Sequence, residues 1–176
     1  MKSKIVRSNL VYQQKVEQLL DELAGTDDAV LNMAAIDGGW STVQILHHLI
    51  LAEELSLAYV KKKLSFTPEL KPAGFDALWR SALLKLSMRL PLKMKAPAQI
   101  GDDKLPGFTT FADTRRRWLA IRDAWTAFLS ELPDDWLDKA VYKHPLVGRL
   151  SWPGMLSFFL QHMQRHHRQI RRTLGK

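Results

Sequence analysis

Cysteine is absent from the 176 residues of this chain. That excludes a disulfide framework, a thiolate metal site and a cysteine nucleophile together, and it fits a reducing compartment. Long apolar runs are missing as well. The greasiest stretch, Ile45 to Val60, is interrupted by His47, His48, Glu53 and Glu54, which leaves it too short and too polar for a membrane span. The opening MKSKIVRSNLVYQQK carries basic residues but no apolar h-region, so it does not read as a signal peptide. Strand signals are scarce, with Ala140 to Val147 the one short candidate. Internal repeats and low-complexity blocks are lacking too. The expectation is one soluble, cytoplasmic domain spanning residues 1–176, long enough to bury a core without staples.

Acidic residues are in deficit: 18 Asp and Glu against 26 Lys and Arg, a net charge of +8. Such a balance invites a nucleic-acid or anionic-membrane reading. The cations lie at Lys61–Lys63, at Arg115–Arg117 and in the tail at Arg165, Arg168, Arg171, Arg172 and Lys176. No recognition-helix, zinc-finger or RNP-type motif accompanies them. They read as solvated faces near helix C-termini, where positive charge also suits the helix dipole. Neither nucleic acid nor a membrane is expected as a partner.

What is present is helical periodicity. A first helix is predicted from about Ser3 to Ala24, with Leu10, Val16, Leu19, Leu20 and Leu23 at helical spacing and Gly25 as its stop. A second starts at the capping box Ser41-Thr-Val-Gln44 and runs to about Leu64. A third follows a similar pattern at Thr110-Phe-Ala-Asp113 and carries Trp118, Ile121, Trp125, Phe128 and Leu129 before Pro133 ends it. The fourth begins at Ser151, tolerates Pro153 in its first turn and extends to about Leu174. Between the second and third, Phe75 to Leu90 looks like a shorter extra helix with Leu78, Trp79, Leu83, Leu84 and Leu86. A Pro-, Gly- and Lys-rich loop crossing the bundle follows it. The predicted fold is therefore all-α: a four-helix bundle with one long crossover containing an extra short helix.

Six histidines punctuate this pattern: His47, His48, His144, His162, His166 and His167. On a helical wheel of the last helix, Leu156, Phe158, Phe159, Leu160, Met163, Ile170 and Leu174 form an apolar arc. Gln161, Gln164, Arg165, Arg168, Arg171 and Arg172 fall opposite. His162 and His166, four residues apart, lie inside the apolar arc. Two inward imidazoles one turn apart need partners for their ring nitrogens and would repel if both were protonated. A divalent ion answers both needs, because it binds neutral imidazole nitrogen. The sequence His162-Met-Gln-Arg-His166 lacks the glutamate of a zinc protease, so that reading is rejected. His167 falls on the far flank, as a partial core contact or a helix-end cation. A third ligand should come from the second helix, which offers both His47 and His48. That helix is apolar nearly all round, and periodicity does not separate the two.

These residues resemble the DinB-like superfamily of four-helix metalloproteins. One motif is Trp40-Ser-Thr-Val-Gln-Ile-Leu-His-His48-Leu, similar to a family helix start with a ligand histidine eight positions after the tryptophan. The other is His144-Pro145-Leu-Val-Gly148, followed by the helix bearing His162-x-x-Arg-His166-x-x-Gln169-Ile170. The resemblance implies His48, His162 and His166 as ligands of a divalent metal ion, zinc or nickel, with His47 a neighbour. It implies enzymes such as metal-dependent thiol S-transferases, thiol-dependent isomerases and hydrolases. Three histidines leave an open coordination position, the arrangement of a catalytic site, where water or a thiol could bind. With no cysteine in the chain, any thiol must arrive as a low-molecular-weight cofactor or substrate. The expected activity is thiol activation toward a small-molecule electrophile. Hydrolysis is the alternative, followed by a non-catalytic, metal-stabilised interaction role. Glu53 and Glu54 are the candidate acids behind the ligands, and a homodimer is the expected assembly.

Overall fold

The computed structural model describes residues 1–66, 70, 72–89, 100–144 and 147–176. Six helices lie in the described residues: α1 (Lys2–Leu23), α2 (Asp28–Asn32), α3 (Thr42–Ser65), α4 (Phe75–Arg89), α5 (Phe111–Ser130) and α6 (Trp152–Thr173). A short hairpin, β1 (Tyr142–His144) with β2 (Gly148–Leu150), joins the end of the α5 region to α6. Helix α1 packs on α5 and α6, and α3 packs on the same two. The four long helices thus close a ring α1–α5–α3–α6, the four-helix bundle expected from periodicity. Helix α4 lies outside that ring, against α6 and β2.

Local chemistry explains the boundaries. Ser41 Oγ accepts from the Gln44 amide while the Gln44 side chain accepts from the Ser41 amide, which makes the capping box that starts α3. Thr110 and Ser151 each cap their helices by accepting from the backbone N–H three residues on. Gly25 takes positive φ just past α1, as a stop should. The candidate strand at 140–147 is realised only as β1, whose pairing partner β2 was not foreseen. Residues 145 and 146 between them, part of the His144–Gly148 motif, lie outside the described residues. Gly148 turns this hairpin at φ 80°, a conformation that glycine adopts without steric cost. Gly154 lets α4 approach α6: a Cβ there would run into the Ser81 hydroxyl.

The core is built from the faces predicted, with corrections. Trp118, Trp125 and Leu129 of α5 are buried, as are Val16, Leu19, Leu20 and Leu23 of α1. Leu10 is half-exposed instead, because the inward stripe of α1 passes through Ile5, Asn9 and Tyr12. In α4 only Ala77 and Leu84 turn inward among its described side chains. Leu78, Trp79, Leu83 and Leu86, which marked the segment as a helix, are all more than half exposed. A helix laid on the outside of a complete bundle can bury one stripe alone. The loop crossing the bundle falls largely on residues 90–99, outside the described residues; its later part, from Ile100, is described.

A polar cluster locks three helices together inside this core. Glu53 of α3 accepts from Tyr12 Oη at 2.7 Å and Trp118 Nε1 at 2.8 Å, and pairs with Arg122 Nη1 at 2.6 Å. Arg122 also donates to Asn9 and lies over the Tyr12 ring. Both charges are almost fully buried. Burial and the Glu53 carboxylate push the Tyr12 hydroxyl well above its usual range, so it stays a donor. The cluster fixes the rotation of α3 about its own axis, and with it the direction in which His48 points.

Candidate metal centre

His48 stands in the second turn of α3, and His162 and His166 stand one turn apart on α6. Because α3 and α6 are ring neighbours, the three imidazoles meet. His48 Nε2 is 3.2 Å from His162 Nε2, and His166 Nε2 is 3.1 Å from the same atom. The ring centroids are 4.7–5.1 Å apart, and each pair meets edge to face. Each residue offers one nitrogen, and these three atoms lie within 4.8 Å of one another. All three residues are buried.

The outer nitrogens decide the chemistry of the inner ones. His48 Nδ1 lies 2.9 Å from the Ile100 carbonyl oxygen, which can only accept, so Nδ1 carries the proton and Nε2 presents a lone pair. His166 Nδ1 lies 2.8 Å from Gln169 Oε1, which assigns it the same tautomer. Two lone pairs therefore face His162 Nε2 from 3.1 and 3.2 Å. A single proton on His162 can answer one of them and leaves the other opposed.

The same environment keeps protons away. His48 is held below the usual histidine range by burial, with the Ile100 bond opposing. His166 is pushed down to about 3 by burial and then by the charge of His48. His162 is pushed far down by burial first, then by His166, His48, His144 and Arg165. Neutral imidazoles with converging lone pairs are what a divalent ion requires. Metal–nitrogen bonds of 2.0–2.1 Å in a tetrahedral shell would separate the donors by about 3.3–3.4 Å. The observed 3.1 and 3.2 Å need only a slight opening to match, and with the third separation within 4.8 Å the donor set can close on such an ion.

His47 faces the other way. Arg117 Nη1 donates to its Nδ1 at 3.2 Å, so its Nε2–H donates to Thr114 Oγ1, also at 3.2 Å. Both nitrogens are engaged with α5, and His47 is not among the converging three. His167 Nε2 lies 2.8 Å from Glu22 Oε2 of α1, on the surface and away from the cluster.

The acids considered as supports are engaged elsewhere. Glu53 belongs to the buried Arg122 cluster, and Glu54 holds Arg117 through both carboxylate oxygens, at 2.7 and 2.8 Å. Backbone and amide oxygens, from Ile100 and Gln169, take the outer N–H groups instead. Ile100 was invisible to sequence reasoning, because a carbonyl is present at every position. Gln169 stood in the recognised motif without a role.

His144 was likewise noted without a role. It is buried beside the centre, its ring 4.5 Å from Phe158, which stacks on His162 at 5.2 Å. Burial pushes it down to about 4. Arg165, placed on the polar side by the wheel, is close enough for its charge to depress both His162 and His166.

Residues 12–170 match the DinB superfamily. The chain belongs to the DinB superfamily. Among solved structures it resembles YfiT from Bacillus subtilis, described as a probable metal-dependent hydrolase with an unusual four-helix bundle topology. The TM-score is 0.57 at 20% identity, over 99% of this chain and 87% of that one. At that identity the likeness concerns the fold. No curated protein matches the chain in sequence. No helix among the described residues is long and apolar enough to cross a membrane.

Proposed function

We propose that this superfamily member is a metal-dependent enzyme whose centre is a divalent ion, zinc or nickel, held by His48, His162 and His166. A low-molecular-weight thiol is the nucleophile: it gives up its proton to solvent, and its sulfur bonds a carbon of a small-molecule electrophile as that carbon's leaving group departs and takes up a proton. The bound ion would supply Lewis acidity at a position left open by three protein ligands. The observation that carries the reading is the convergence of three Nε2 atoms on one point, with the outer N–H groups of His48 and His166 engaged.

The choice of a thiol rests on the neighbourhood of those donors. Among the described residues, the ligand-type side chains that converge there are the three histidines alone, with no carboxylate joining them. A reaction that needs a carboxylate base finds none in that set. A thiol needs less help, since its proton is far more acidic than that of water. Arg165 adds positive charge at the edge of the centre and favours an anionic substrate. The chain itself has no thiol, so the nucleophile must be supplied, which fits a cytoplasmic setting. Hydrolysis is the second reading, supported by the fold shared with YfiT, a probable metal-dependent hydrolase.

Self-association is the third element of the proposal. Helix α4 exposes Phe75, Leu78, Trp79, Leu83 and Leu86, with Phe75 at 83% and Trp79 at 66%. An apolar face of this kind is the usual mark of an interface, and we read it as the contact of a homodimer.

The test is a reaction screen on metal-loaded protein. Thiols of different charge are paired with small electrophiles, and ester and amide substrates run in parallel without thiol. Metal-dependent thioether formation that disappears in His166→Ala supports the transferase reading. Turnover only without thiol supports hydrolysis. No turnover despite stoichiometric metal leaves the metal-stabilised interaction role.

A further inference from the structure

The segment returning toward α5 is fastened at four points, three around the start of α3 and one on α2. The Ile100 carbonyl accepts from His48 Nδ1 at 2.9 Å. Asp102 Oδ1 accepts from Trp40 Nε1 at 2.6 Å. The Pro106 carbonyl accepts from Gln44 Nε2 at 3.3 Å. Thr109 exchanges two bonds with the Asn32 side chain, at 2.9 and 3.1 Å. Trp40 itself leans on the His48 ring, with centroids 4.9 Å apart and planes inclined by 44°.

Two of these contacts converge on one imidazole. His48 has the indole of Trp40 on one side and the Ile100 carbonyl at its Nδ1. Asp102 holds the indole and is only two residues from Ile100, at the start of a tight 3₁₀ turn (Asp102–Lys104). Moving Asp102 away from Trp40 therefore releases both restraints together: the tryptophan loses its anchor and the carbonyl loses its register. Gln44, which joins the segment further along, is committed to the capping box of α3 through its other amide atom and cannot replace the Asp102 anchor. His48 is the single ligand that α3 contributes, so its ring orientation decides whether the third nitrogen reaches the pair on α6.

We infer that Asp102, acting through Trp40, is a positioning residue for His48. In this way the crossover segment sets both the tautomer of that ring and the affinity of the three-histidine cluster for its ion. The affinity half rests on the proposed metal centre; the tautomer half does not. The bond between Trp40 and Asp102 lies at the surface, where a hydrogen bond adds little to global stability. Its effect is local. Partners that orient metal-ligating histidines typically change affinity 10–100-fold when removed.

Four variants test this: Asp102→Ala, Trp40→Phe, the double variant, and Asp102→Asn, whose amide oxygen still accepts from the indole. Asp103→Ala in the same turn is the control. Zinc and nickel affinities are measured by competition with a chelating dye, and the His48 tautomer is read in metal-free protein by long-range proton–nitrogen NMR. Asp102→Ala and Trp40→Phe should each weaken metal binding by about tenfold, and the double variant should be no weaker than either alone. Asp102→Asn and Asp103→Ala should stay close to the unaltered chain. In metal-free protein, His48 should be the Nδ1–H tautomer, shifting to a mixture in Asp102→Ala. If the unaltered chain binds neither metal, the metal centre and the affinity half fall, while the tautomer shift still decides the positioning role. An unchanged tautomer in Asp102→Ala overturns the inference, as does unchanged affinity in a chain that does bind metal.

Discussion

His48 and His162 are 114 residues apart in the chain, yet their Nε2 atoms stand 3.2 Å from one another. The contact joins neighbouring helices of the bundle ring, α3 and α6. It presses a lone pair of His48 against a nitrogen that His166 also faces. Such an arrangement is costly for imidazoles alone and favourable around a cation, which gives the first expectation its direction.

Chelator-treated protein reconstituted with zinc or nickel should retain about one ion per chain in elemental analysis after desalting. Replacing His48, His162 or His166 by alanine should each abolish tight binding. Occupancy at a free-metal concentration of about 100 Kd should add roughly 2.7 kcal/mol of stability, seen as a rise in Tm that the three variants lose. His47→Ala should keep the ion, and should cost about 1 kcal/mol because Thr114 and Arg117 lose a partner. Loss of metal in His47→Ala would exchange the roles of the two neighbours.

Acid should destabilise the metal-free protein through its buried histidines. His166 is depressed to about 3 and His144 to about 4 in the fold, against about 6.5 in the unfolded chain. Below 6.5 the unfolded state takes up protons that the folded state refuses, so folding is favoured above that pH and weakened below it. Denaturant midpoints should fall between pH 6.5 and 4 as a result. His144→Phe should flatten the slope in that window; an identical slope would show that His144 does not titrate as its burial requires.

Breaking the Glu53–Arg122 pair should be far more damaging than removing it. Arg122→Met leaves a buried carboxylate with its charge unpaired and should cost about 3–5 kcal/mol, whereas Arg122→Met combined with Glu53→Gln should recover much of the loss. Urea titrations of the single and double variants give the coupling directly. Since this cluster orients α3, the single variant should also weaken metal binding; a fully retained affinity would uncouple the cluster from the site.

Light scattering coupled to size-exclusion chromatography addresses the exposed face of α4. The unaltered chain should elute as a dimer. Trp79→Lys with Leu83→Glu should give a monomer of unchanged helicity, since neither side chain is buried in the chain by itself. A dimer that survives both changes places the contact elsewhere.

Much of the bundle could be read before any coordinates. The spacing of Trp118, Trp125 and Leu129, the capping box at Ser41 and Gln44, and the apolar arc holding His162 and His166 are local patterns. Local patterns determine which segments become helices and which faces they bury. Their limits show in α4, a helix as expected whose Leu78, Trp79, Leu83 and Leu86 lie exposed: periodicity records that a face is greasy, not whether another element covers it. The hairpin partner of β1 was missed for the same reason, since three-residue strands have almost no pattern of their own.

The three histidines divide along that line. His162 and His166 share one helix, so their spacing alone puts them on one face, one turn apart. Their meeting with His48 depends on how α3 is rotated against α6, which the Glu53–Arg122 cluster and the packing of α5 control. The outer partners of the rings, the Ile100 carbonyl above all, follow from a crossover path that no local pattern encodes. The sequence by itself determined the helices and the inward pair. The tertiary structure decided which α3 histidine completes it and which nitrogen each ring presents, because both depend on contacts between residues far apart in the chain.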